Sequence, residues 1–83
     1  MNMNSSTLLT DLFEVAKDTL QDLQPNEEFI VKELFRGFEW NRIPKGIRTK
    51  LGSLFYSYAE GQGSTIIKAL DKTPQNQQRY KKL

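Results

Sequence analysis

Between Thr7 and Leu23 the apolar residues Leu9, Phe13, Ala16, Leu20 and Leu23 step by four, three, four and three. That spacing lines one face of an α-helix. Ser6 is placed to cap its start, and Gln24-Pro25-Asn26 to stop it. Residues 1–6 are expected to fray. The acids Asp11, Glu14, Asp18 and Asp22 form a second ridge on this helix. It reads as a solvated face, because a metal cage draws ligands from several elements.

Glu28-Phe-Ile-Val is a short β-branched and aromatic run that predicts one brief strand. Lys32 to Gly37 predicts a helix of one or two turns ended by Gly37. Phe38 to Ile43 is a connector with some helical character. Pro44 suits a helix start, where its missing N–H costs nothing. From Pro44 to Glu60 the stripe Ile47, Leu51, Leu54, Phe55 and Tyr58 is the cleanest helical pattern in the chain. Gly61-Gln-Gly-Ser breaks it. Thr65–Asp71 and Gln77–Leu83 read as two strands joined by the turn Lys72-Thr-Pro-Gln-Asn.

The predicted order is helix, short strand, short helix, long helix, hairpin. This defines an α+β class and a single winged helix-turn-helix domain over residues 1–83. The first strand becomes the third member of a small antiparallel sheet with the hairpin wing. A helical bundle with a disordered basic tail is the competing architecture.

Composition narrows the chemistry. The 83 residues contain neither Cys nor His. Cys- or His-ligated zinc sites, disulfides and a Ser-His-Asp triad are excluded. Neither a signal peptide nor a membrane span is read, so the expected location is cytoplasmic. The formal charge is +2, but it is unevenly spread. Residues 1–28 hold six acids and one base, and residues 29–83 eleven bases and four acids. The basic C-terminal part suits a polyanion.

On a helical wheel, the long helix presents Lys45, Thr49, Gly52, Ser53 and Tyr56 opposite its apolar stripe, flanked by Arg48 and Lys50. Cations neutralise phosphates, hydroxyls donate to phosphate oxygens, and a tyrosine ring stacks on a base. Gly52 either lets a ligand approach the backbone or allows close helix packing. The hairpin adds Lys68, Lys72, Arg79, Lys81 and Lys82 as sequence-independent phosphate contacts. Tyr80 reads as core packing in preference to base stacking. Phe35, Phe38 and Trp40 read as a hydrophobic cluster under the connector. Glu33, Glu39, Asp71 and Ser53 with Lys50 form no recognisable catalytic constellation, so neither enzyme activity, a cofactor, a metal nor a small-molecule substrate is expected.

The stretch Leu34 to Phe55 carries Leu34-Phe35, Gly37, Glu39-Trp40, Ile43-Pro44, Gly46, Arg48, Leu51-Gly52 and Phe55. In these positions the chain resembles a small bacterial domain-of-unknown-function family. Its members are often labelled single-stranded DNA-binding proteins and recur in mobile elements of Gram-positive bacteria. The resemblance runs over about residues 27–83, including the Thr-Pro-Gln-Asn turn and Tyr80. It implies a winged helix that binds single-stranded DNA with little sequence preference, beside replication or transfer of a mobile element.

Two other functions fit the same pattern. One is a duplex-DNA-binding regulator that inserts the long helix into a major groove. Such proteins usually read bases with Arg, Asn or Gln at the helix start. The other is a protein-interaction module working through the acidic helix 7–23.

Overall fold

The computed structural model describes residues 5–83. Three α-helices and a three-stranded antiparallel sheet account for most of them. Helix α1 (Ser5–Thr19) runs into a 3-10 turn (Leu20–Asp22). Strand β1 (Glu28–Ile30) follows, then a second 3-10 turn (Val31–Leu34), α2 (Gly37–Arg42), α3 (Lys45–Glu60), β2 (Ile67–Lys72) and β3 (Gln78–Lys82). The α+β class, the hairpin and the recruitment of the first strand into its sheet agree with the sequence reading.

The local boundaries differ in instructive ways. Ser6 lies inside α1 and is not its N-cap, and Ser5 and Ser6 are helical where fraying was expected. Residues 1–4 of that expectation lie outside the described residues. Gly37 opens α2 where it was expected to end a helix. The cause is a repeated glutamate. Glu33 Oε1 accepts the N–H of Ile30 at 3.0 Å, and Glu39 Oε1 accepts that of Arg36 at 3.4 Å. Each closes a new turn three residues after an extended residue, which is half of a capping box. Phe35 and Arg36 between them are extended, with ψ of 156° and 146°. Pro44 precedes α3 as its cap residue, also extended.

The sheet order is β1-β3-β2. Phe29, Tyr80 and Ala69 stand in one row across it, and Glu28, Lys81 and Lys68 in the next. Since neighbouring side chains in a strand alternate faces, the first row meets the helices and the second faces away. A register shift between Ala69 and Lys72 then brings Lys72 opposite Gln78. Asn26 and Asn76 take the left-handed conformation at φ 77° and 67°, which asparagine tolerates in turns.

The core joins α1, α3 and the inner sheet face through Ala16, Leu20, Phe29, Leu51, Phe55, Ile67 and Tyr80. Its aromatic centre is tightly connected. Tyr80 stacks on Phe29 with centroids 5.7 Å apart and meets Phe55 edge-on at 5.1 Å. Phe13 of α1 packs edge-on against Phe55 and Tyr58. After α3 the chain turns under the Tyr58 ring at Gly63, where an added Cβ would lie 2.4 Å from the ring. Any side chain there would have to push that ring aside.

Candidate nucleic-acid interface

Arg48, Thr49, Gly52, Ser53 and Tyr56 recur at helical spacing along α3, on the side turned from its buried stripe. They form one wall of a groove of about 620 Å³. Lys72, Asn76, Gln77 and Gln78 of the hairpin form the other wall. Ile30, Val31 and Lys32, at the end of β1, and Trp40 of α2 complete the lining, with Tyr80 reaching it from the sheet. The groove exists because β1 ends at the 3-10 turn while the hairpin runs on past it.

Three lining residues are cationic, Lys32, Arg48 and Lys72, and none is acidic. The field inside therefore favours an anion. Besides the buried Tyr80, two partly exposed rings border the same space. Tyr56 is 44% exposed although it stands on a helix packed against the core. Trp40 is half-buried, 5.7 Å from Phe35, and takes the Arg48 guanidinium at 5.7 Å from its ring centroid. Arg48 Nε is buried there without a hydrogen-bond partner. The hairpin wall is braced from within. Thr73 N–H donates to Gln77 C=O and Asn76 N–H to Thr73 C=O, both at 2.8 Å, and the Gln78 amide donates to Leu70 C=O.

Of the residues proposed from sequence, Arg48, Thr49, Ser53, Tyr56 and Lys72 meet in this groove. Lys45 and Lys50 are exposed on α3 but do not line it. Lys68 and Lys81 face each other on the outer side of the sheet. Arg79 is engaged elsewhere, bonding Glu28 Oε1 at 2.7 Å and Asp71 C=O at 3.1 Å. Thr49 is less free than its wheel position suggests, because its hydroxyl donates to Lys45 C=O at 3.1 Å. Lys32 and the polar hairpin residues Asn76, Gln77 and Gln78 escaped the sequence reading. Their place depends on the β1–β3 register, which no local pattern encodes.

Two aromatic assignments are resolved. Tyr80 is fully buried, as its core reading required. Its hydroxyl lacks a hydrogen-bond partner. Burial, reinforced by Tyr56 and Glu60, pushes the phenol up to about 12, so it holds its proton at neutral pH. Phe38 does not join the expected hydrophobic cluster. It is 51% exposed and packs its ring under the Arg42 guanidinium, 5.1 Å away.

Gly52 shows that helix packing is not the reason for this glycine: an added Cβ would meet nothing within 4 Å. Among the described residues no helix is long and apolar enough to cross a membrane, and no cluster of three or more potential metal ligands forms. No curated protein and no solved structure matches the chain. A family model does, over residues 14–82, from the middle of α1 to the last strand. The chain belongs to the family described as a domain of unknown function, DUF1413.

Proposed function

We propose that this protein binds single-stranded DNA with low sequence specificity, without catalysis, in the groove between α3 and the hairpin. The observation that carries the reading is the composition of that groove: three cations, no carboxylate and, besides the buried Tyr80, two partly exposed rings. Cations track a phosphate backbone and rings stack on unpaired bases, whatever their identity. The element order and the β1-β3-β2 sheet support a winged-helix type, with the hairpin as wing. The work suited to such a module is that of a cytoplasmic accessory to replication or transfer of a mobile element.

A duplex reader needs side chains that discriminate base edges. The groove wall of α3 offers a single arginine, and its guanidinium rests against Trp40. Single-strand binding is the better fit. The test is a backbone amide NMR titration with oligothymidine. Shift changes should concentrate on residues 48–56 and 72–78 and around Trp40. Changes confined to α1, or no changes, would contradict the groove as the binding site.

A further inference from the structure

Glycine in mid-helix is unfavourable unless something needs the missing side chain. At Gly52 the protein's own packing does not need it, since a Cβ there meets open space. One helical turn to either side along the same wall stand Arg48, its guanidinium 5.7 Å from the Trp40 ring centroid, and Tyr56, exposed. From the sheet side comes Tyr80, fully buried, with a hydroxyl that has no partner. Arg48 Nε is a second donor without an acceptor. Arg48 and Tyr80 both line the groove and each carries a buried donor without a partner; an acceptor from outside would satisfy them, and a buried polar group left unpaired is costly.

Building on the single-strand reading, we propose that Gly52 and Tyr80 form a slot for one unpaired nucleobase carrying a carbonyl oxygen. The bare backbone at Gly52 gives clearance for the flat ring. The carbonyl accepts from the Tyr80 hydroxyl, and the Arg48 side chain supplies the second donor. The hydroxyl is covered in the free protein, so the base must displace what lies over it. Because burial raises the phenol to about 12, it remains a donor across the neutral range. Lys32 and Lys72 are left for the phosphates.

The test uses Gly52→Ala and Tyr80→Phe, with Gly37→Ala as control. Gly37 also has open space around its Cβ but lies outside the groove. Binding is read by fluorescence anisotropy with labelled oligothymidine and with an abasic strand of the same length, and the fold by thermal melting. Gly52→Ala and Tyr80→Phe should melt no lower than the parent. Each should lose about tenfold on oligothymidine and nothing on the abasic strand, while Gly37→Ala binds both normally. Unchanged oligothymidine binding by both groove variants overturns the slot and leaves the single-strand reading standing. Equal losses on both strands also overturn it, since Gly52 then follows the phosphate backbone. A parent protein that binds neither strand removes the single-strand reading itself.

Discussion

Arg79 holds Glu28 at 2.7 Å through Nη1 while its Nε donates to the Asp71 carbonyl at 3.1 Å. Arg79 lies on the central strand, Glu28 on one edge strand and Asp71 on the other. One side chain thus ties all three strands. The pair is partly exposed, at 39% and 50%, so solvent screening limits its contribution to about 0.5–1 kcal/mol. Arg79→Ala should lower the melting temperature by about 2–8 °C and leave oligothymidine affinity within about twofold of the parent, because this guanidinium is already engaged. Thermal melts and anisotropy on the same preparations check both halves. A large affinity loss at unchanged stability would make Arg79 a DNA contact.

The two basic surfaces should separate by salt dependence. Each phosphate neutralised on single-stranded DNA contributes about 0.7 to the slope of log K against log salt. Removing Lys32 and Lys72 together should therefore flatten the slope by about 1.4 units. Removing Lys68 and Lys81 should change it much less. That pair sits directly cross-strand on the outer face, where like charges repel, so its removal should also leave the fold as stable or slightly more so. The reverse ranking of slopes would move the binding surface to the back of the sheet.

How much of this was legible in the sequence can be judged element by element. The stripe Ile47-Leu51-Phe55 announced α3 and its buried face, and Tyr56 was placed on the exposed side from the same wheel. The hairpin followed from its Pro-Gln-Asn turn, with Asn76 left-handed as the turn requires. Two features are written in the chain as local signals. Glu33 and Glu39 each follow a turn start by three residues, a capping signal that overrides the glycine punctuation at 37. Other features were not local at all. Alternation in β2 and β3 sends Lys68 and Lys81 outward, whereas the shift between Ala69 and Lys72 turns Lys72 back toward α3. No one-dimensional charge count distinguishes those lysines. Lys32 enters the groove only through the pairing of Ile30 with Arg79.

Tyr80 makes stability depend on pH in a definite direction. Its phenol is raised from 10.0 to about 12 by burial, with added influence from Tyr56 and Glu60. The unfolded chain releases this proton near pH 10 and the folded chain only near 12. The contribution is therefore fully present below pH 10 and is lost as pH rises through 12. Tyr80→Phe should remove this component of alkaline unfolding. At neutral pH it should leave stability equal or higher by up to about 1 kcal/mol, because an unpaired buried hydroxyl is eliminated. Urea melts at pH 7, 10 and 11.5 would show it. A clear loss at pH 7 would mean that the hydroxyl is satisfied in the folded protein.

The exposed Tyr56 ring distinguishes single strand from duplex. In an unpaired strand it can stack on a base, which contributes roughly 1–3 kcal/mol; in a duplex the bases are already stacked on one another. Tyr56→Ala should weaken oligothymidine binding by about tenfold while the melting temperature and any duplex binding stay nearly constant. Equal losses on both substrates would favour the regulator alternative.

The measurement that bears most directly on the groove as a single-strand site is an anisotropy titration of the unmodified protein. It uses labelled oligothymidine and a duplex of matched length, each at several salt concentrations. Tighter binding to the single strand at every salt, with log K falling linearly with log salt, is the predicted result. Tighter binding to the duplex, or no binding to either at low salt, would contradict it.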